Sequence, residues 1–191
     1  LANSTRPEIE QIMIANGRGV SEEQLELDLF IIRRRIEHKV QQALVKGFYF
    51  CSLSCRSIIY KGMFLAEQLT EFYPDMLDPS FVSSFAIYHQ RYSTNTFPTW
   101  ELAQPFRMLA HNGEINTLKG NVNWMKSHEI RMSSDYFGEL AEDIKPIVLP
   151  GSSDSAALDN VFEVRVRAGR IAPMAKTMLV PEAWSKLATK M

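Results

Sequence analysis

The chain has 191 residues, 46% hydrophobic and 10% aromatic, which is enough for one full core and is not the composition of a disordered chain. A formal charge of −1 provides no basic field to recruit nucleic acid or an anionic lipid surface. No apolar run is long enough for a membrane span, LANSTRPEIEQ has neither region of a signal peptide, and two cysteines cannot build a disulfide framework. A reducing compartment is therefore the default, and a chain that opens on Leu1 reads as a segment of something longer.

In chain order, Thr5 and Glu8 have capping-box spacing with Pro7 just inside, which predicts a short helix there. Asn16-Gly17 and Gly19 break any regular element between that helix and Ser21. Leu25, Leu27 and Leu29 alternate with acids, predicting a half-buried strand that runs into Ile32. Ile36, Val40 and Leu44 then recur at helical spacing, so Arg33, Arg34 and Arg35 read as a solvated helix face, not an anion site. Phe48 to Ser54 and Ser57 to Tyr60 look like strands. Cys51 and Cys55 lack His or Cys partners at ligand spacing, so they read as buried inert thiols and no metal site is expected.

Met63 to Tyr73 is an amphipathic helix closed by Pro74, and Phe85 to Tyr88 a strand that delivers Arg91. Phe106 to Ala110 is a further strand, leading into His111-Asn112-Gly113-Glu114. Leu118, Val122, Met125 and Ile130 mark a helix interrupted by Gly120, with Trp124 expected in the core. Tyr136 to Asp143 is a short helix or acidic loop, and Ile147 to Pro150 a short strand. Asp154 opens a helix marked by Leu158, Val161, Phe162 and Val166. Met174, Met178 and Leu179 give a last helix with core-facing methionines, ended by Pro181. There is no internal repeat and no Gly-rich phosphate loop.

Chemistry concentrates between Ala86 and Thr117. Arg91 carries a fork of donors suited to a bidentate grip on a carboxylate. Asn112-Gly113 sets a side-chain amide beside a backbone N–H, so two donors can converge on one point. A clamp for an acid plus paired donors suggests acyl chemistry on an amino-acid-like substrate. Asn-Gly is equally the commonest hairpin turn, and an arginine at a strand end is commonly solvated. Asp154 is either a plain N-cap or an acid facing a bound ammonium group.

The stretches FYFCSLSCRSIIYKGM, FAIYHQRYSTNTFPTWELAQPFRMLAHNGEINTLKGNVNWM, LPGSSDSAALDNVFE and LVPEAW resemble the class II, N-terminal-nucleophile glutamine amidotransferase domain of glutamate synthase large subunits. The resemblance runs from Phe48 to Trp184. It implies an α+β fold: a four-layer α/β/β/α sandwich, incomplete here at the N-terminus, with residues 1–191 forming a partial domain that lacks its nucleophile segment. It further implies that Arg91 binds the α-carboxylate of L-glutamine and Asp154 the α-amino group, that Thr94 walls the pocket, and that Asn112 and Gly113 form the oxyanion hole.

The family nucleophile is a cysteine at the mature N-terminus, whose α-amine is the base. Leu1 occupies the first position, so the nucleophile is expected upstream and the 191-residue piece alone is expected to be silent. No cofactor is expected in this segment. FMN and an iron–sulfur cluster are implied for a synthase domain of the same polypeptide, with a small reductase subunit or ferredoxin as electron source. Cytoplasm or plastid stroma is the implied location. Two alternatives stand beside this reading: a non-catalytic glutamine-binding domain, and a class II amidotransferase with another acceptor.

Overall fold

Ser21 starts α1 (Glu22–Gln42): its backbone is extended, its hydroxyl accepts the Gln24 N–H at 3.2 Å, and Glu22 and Glu23 place negative charge at the positive end of the helix dipole. The computed structural model describes residues 2–90 and 97–180. Leu25 to Ile32 is thus helix, not the expected strand. The alternation of leucines with acids is real, but the buried positions Glu26, Phe30, Arg33 and Glu37 follow the helical period. The helix closes with Leu44 in the left-handed region (φ 57°), where the N–H of Val45 reaches the Val40 carbonyl at 3.1 Å.

The faces of α1 are inverted relative to the sequence reading. Arg33 and Arg34 are 1% and 4% exposed, whereas Ile32 and Ile36 are 45% and 36% exposed. The inward face carries charge because opposite charge meets it. Arg33 pairs with Glu37 at 2.7 Å and with Glu163 at 2.5 Å, and Arg34 pairs with Glu37 at 2.7 Å. Arg34 also donates to the Ile144 carbonyl at 3.0 Å. Only Arg35 keeps the expected solvated position. Two arginines in the interior would cost several kcal/mol each without these partners.

Four further α-helices occur among the described residues: α2 (Leu69–Phe72), α3 (Leu118–Glu129), α4 (Asp154–Arg167) and α5 (Ala172–Leu179). Short 3-10 turns flank α2, so the predicted Met63–Tyr73 helix is one turn of α-helix between tighter turns. Residues 6–15 are not helical; the predicted first helix is only a turn at Asn3–Thr5. Gly120 lies inside α3 without breaking it. Trp124 is 78% exposed on α3, and Met174 and Met178 are exposed on α5, so these expected core residues lie outside it. α4 ends on Gly169 at φ +88°, where a Cβ would come within 2.3 Å of the Tyr136 ring.

The core joins α1, α4 and the 137–148 segment through Phe30, Ile31, Phe137, Ile144, Ile147, Val161 and Val164, with Met125 of α3 and Leu179 of α5 packed against it. Each of these large side chains contributes about 1.5–3 kcal/mol on burial. A second, aromatic cluster gathers Tyr60, Phe64, Phe72, Tyr73 and Trp100.

No strand occurs among the described residues, contrary to the expectation for 48–54, 57–60, 85–88, 106–110 and 147–150. In three of these regions side-chain acceptors take amides that a neighbouring strand would otherwise accept: Ser52 takes the N–H of Ile59, Asp159 those of Met108 and Leu109, and Glu129 that of Ile147. Between 48–54 and 57–60, Glu26 takes the N–H of Cys55.

Lys61 is 6% exposed; its ammonium donates to the Glu101 carbonyl and lies 5.3 Å over the Tyr49 ring. Burial pulls its pKa down to about 8. Between there and the unfolded value near 10.5, the unfolded chain holds a proton the folded chain has released, so stability rises with pH across this window. The rise is about 3 kcal/mol. Burial raises Tyr60 and Tyr73 to about 12, so above pH ~10 unfolding releases their protons and the trend reverses. Urea unfolding as a function of pH should therefore show a stability maximum near pH 9–10. Lys61→Met should remove the rising limb; an unchanged profile in that variant would assign the rise to other groups.

Candidate functional site

α4 organises the site. Its N-cap is Ser153, whose backbone is extended and whose hydroxyl accepts the Ala156 N–H at 3.1 Å. The capping role open to Asp154 is therefore taken by its neighbour. Asp154 is the first helical residue, half-buried, with Oδ1 accepting the Ser155 N–H at 2.7 Å. Its Oδ2 accepts the Ile115 N–H at 3.1 Å, across 39 residues of sequence. The His111–Ile115 loop and the start of α4 are thus in direct contact.

Asn112 and Gly113 are exposed on that loop. The Gly113 N–H donates to His111 Nδ1 at 3.1 Å. His111 Nε2 is buried, with no hydrogen-bond partner among the described residues. Gly113 is not in the left-handed region, and a Cβ there would meet only His111 Nδ1 at 3.6 Å. Asp154 is therefore brought to the Asn112–Gly113 loop. Arg91 and Thr94 lie outside the described residues.

A buried charge cluster lies behind the loop. Asp159 is fully buried and accepts the N–H groups of Arg107, Met108 and Leu109 at 3.3, 2.7 and 3.0 Å. The Arg107 guanidinium contacts Asp159 at 3.5 Å and Glu163 at 3.1 Å. Through Arg33 the cluster reaches α1, so Arg33, Arg34 and Arg107 balance Glu37, Asp159 and Glu163. Burial raises the pKa of Asp159, with Arg107 opposing and Glu163 reinforcing the shift. Burial acts upward on Glu163 too, but Arg33 and Arg107 outweigh it and hold that carboxyl below its usual range. Sequence reading missed this cluster. Its trace was opposite charges at i,i+4 inside an apolar-patterned helix, Arg33/Glu37, and a pair of acids at the same spacing in another, Asp159/Glu163.

The two thiols are less buried than the sequence suggested. Cys51 is half-buried but Cys55 is exposed, its Sγ 3.9 Å from the Glu22 carbonyl. Burial raises the Cys51 thiol. Cys55 is raised as well, by its residual burial and by the Glu26 and Glu22 carboxylates. Both shifts disfavour the nucleophilic thiolate.

Among the described residues no three His, Cys, Asp or Glu side chains are grouped to hold a metal, and no helix is long and apolar enough to cross a membrane. Two cysteines are too few for the four thiolates of an iron–sulfur cluster, so the residues present do not fit one. A recess of about 160 Å³ between α3 and α4, lined by Met125, Phe137, Val161 and Arg165, does not include the Asn112 loop.

Compared with known families, residues 1–191 match the class-II glutamine amidotransferases from end to end. The chain belongs to that family. It is 71% identical over 182 residues to the glutamate synthase [NADPH] large chain of Azospirillum brasilense, covering 95% of this chain and 12% of that protein. It is 45% identical to the glutamate synthase [NADPH] large chain of Bacillus subtilis, with 97% and 12% covered. It is 46% identical to the chloroplastic ferredoxin-dependent glutamate synthase of Oryza sativa subsp. japonica, with 96% and 11% covered. The chain thus spans about one eighth of the length of these relatives. Within this family member, the Ile115–Asp154 hydrogen bond joins the His111–Ile115 loop to the start of α4.

Proposed function

We propose that this chain is the glutamine-hydrolysing part of a glutamate synthase, releasing ammonia that a synthase domain of the same polypeptide adds to 2-oxoglutarate. The observation that supports the reading is the Ile115–Asp154 hydrogen bond, which ties the loop carrying Asn112 and Gly113 to the acid at the start of α4 within a class-II amidotransferase sequence.

In this reading Arg91 grips the α-carboxylate of glutamine and Asp154 its α-ammonium, with Thr94 lining the pocket. Fixing both charges of the head leaves the side-chain amide one direction in which to point, which converts its encounter with the nucleophile into an intramolecular event. A cysteine thiolate attacks the amide carbon. Its own α-amine, with an ordinary pKa of about 7.7–8.0, takes the thiol proton and delivers it to the departing nitrogen. The carbon–nitrogen bond breaks, ammonia leaves, and water hydrolyses the γ-glutamyl thioester to glutamate. Asn112 Nδ2 and the Gly113 N–H stabilise the oxyanion of each tetrahedral intermediate; the Gly113 N–H exchanges His111 Nδ1 for the substrate oxygen as it does so.

Neither Cys51 nor Cys55 suits the nucleophile, so the attacking cysteine belongs to the intact polypeptide outside these residues. The completed domain is an α/β/β/α sandwich, to which α1, α3, α4 and α5 contribute helical layers. FMN, an iron–sulfur cluster and an electron-donating reductase subunit or ferredoxin belong to the synthase part, and cytoplasm or plastid stroma is the compartment.

The test is ammonia release from L-glutamine by the intact protein, wild type and Cys51→Ser/Cys55→Ser. Both should turn over glutamine at rates within about 2-fold of each other, as expected for changes at protonated, non-reacting thiols. No ammonia from the wild type would overturn the reading. Loss of turnover in the double serine variant, with ammonia-dependent synthesis intact, would return the nucleophile to this chain.

A further inference from the structure

Met108 and Leu109 give up their backbone N–H groups to a side chain, Asp159 Oδ1, at 2.7 and 3.0 Å. Arg107 gives its own to Oδ2 at 3.3 Å. Three successive amides thus converge on one carboxylate that is entirely shielded from water. On the same helix, one turn and a half earlier, Asp154 takes the Ile115 N–H. The segment from Leu109 to Ile115 is therefore tied to α4 at both ends, running back along the helix towards its N-terminus.

The tether has a geometric consequence. Asp154 and Asp159 are about 7–8 Å apart along the axis, at 1.5 Å of rise per residue, and about 140° apart around it, at 3.6 residues per turn. The segment from 109 to 115 spans these two anchors, with Asn112 at its midpoint in sequence. No regular hydrogen-bonded element stiffens residues 110–115, so the two anchors are what ties the loop to the helix. One anchor, Asp154, sits at the half-open end and is committed to the substrate head. The other, Asp159, is fully buried and braced by Arg107, which also pairs with Glu163.

We propose that Asp159 is a positioning residue for glutamine hydrolysis: from inside α4 it holds the 107–109 backbone so that Asn112 and Gly113 stand where the oxyanion forms. The proposal rests on the assignment of those two donors given above. A buried carboxylate is an expensive device for satisfying three amides that a neighbouring strand could satisfy. A rigid helix carrying the anchor instead ties the donors to the same body that holds Asp154, so head clamp and oxyanion site keep their mutual distance. Displacing preorganised donors by even 1 Å costs about 10²-fold in rate.

The test compares Asp159→Asn, Asn112→Ala and the double variant in the intact enzyme. Asparagine keeps one acceptor oxygen but turns N–H groups towards the amides that Asp159 had accepted. Asp159→Asn should lower glutamine turnover at saturation at least ~10-fold, with glutamine KM within about 3-fold and ammonia-dependent synthesis retained. Because Asp159 acts through the loop that carries Asn112, the two losses should fail to multiply, with the double variant at least ~3-fold more active than their product predicts.

Multiplying losses, a joint fall of both activities, failure of the variant to fold, or wild-type turnover would each overturn the proposal. An Asn112→Ala enzyme that hydrolyses glutamine normally would instead remove the donor assignment itself, so the two failures are told apart. Amide exchange of the wild-type protein provides a measurement that needs no variant. Met108 and Leu109 should exchange at least ~10-fold more slowly than Asn112, and equally fast exchange would show that the clamp does not hold.

Discussion

Alanine at Asn112 is expected to slow glutamine hydrolysis by the intact enzyme by about 10²–10³-fold, the loss typical of one oxyanion donor. Asn112 is exposed, whereas the loop's ties to α4 are made by the Leu109 and Ile115 amides. The substitution therefore removes a donor and leaves the scaffold. Gly113 cannot compensate readily, because its N–H already has an acceptor in His111 Nδ1 and must exchange it for the substrate oxygen. The loss should fall on kcat and kcat/KM together, since the donor acts on charge present only in the transition state. Ammonia-dependent glutamate synthesis should stay within a few-fold of wild type. Steady-state rates with glutamine and with ammonia read both quantities. Glutamine turnover unchanged within a factor of three would remove Asn112 from the oxyanion role.

Asp154→Ala is expected to raise glutamine KM about 30-fold or more, the cost of leaving a bound ammonium without its partner at 2–5 kcal/mol. Asp154 also accepts the Ile115 N–H, so some loss in kcat from a loosened loop accompanies it. Substrate choice separates the two effects. The wild type should prefer L-glutamine strongly over glutaramate, which has the same side-chain amide and carboxylate but no α-amine; Asp154→Ala should lose most of that preference. A variant that still discriminates against the amine-free compound as the wild type does would show that Asp154 does not bind the amine. Ser153→Ala provides the complementary control. It removes the N-cap of α4 and should cost about 1 kcal/mol of stability while leaving glutamine affinity unchanged.

The site was legible in the sequence to the extent that its chemistry resides in residue types and local spacing. His111-Asn112-Gly113 announces a side-chain amide beside a backbone N–H wherever the loop sits, and Asp154 before an apolar-periodic segment announces an acid at a helix start. α4 itself followed from Leu158, Val161, Phe162 and Val166, and the structure forms it from Asp154 to Arg167. The family was legible for the same reason, since long runs such as FAIYHQRYSTNTFPTWELAQPFRMLAHNGEINT are recognised as strings, without geometry. Nothing local could choose between capping and substrate binding for Asp154. The structure gives the cap to Ser153 and brings the Ile115 N–H to Asp154 from elsewhere in the chain.

The pattern failed where a residue's partner lies far away in sequence. Arg33 and Arg34 read as solvated because their pattern says only that they are charged; Glu163 and the Ile144 carbonyl, more than a hundred residues on, make the interior tolerable for them. The segments around Cys55, Met108 and Ile147 have the composition of strands. Their amides end on Glu26, Asp159 and Glu129, which no propensity could foresee. Local chemistry by itself determined the inventory: a helix with an acid at its start, a turn with two donors, and membership of an amidotransferase family. Tertiary structure alone decided that one buried aspartate would tether the donor loop to that helix. A hydrogen bond between residues fifty positions apart depends on where the chain folds, and a side-chain pattern records only what each residue is able to offer.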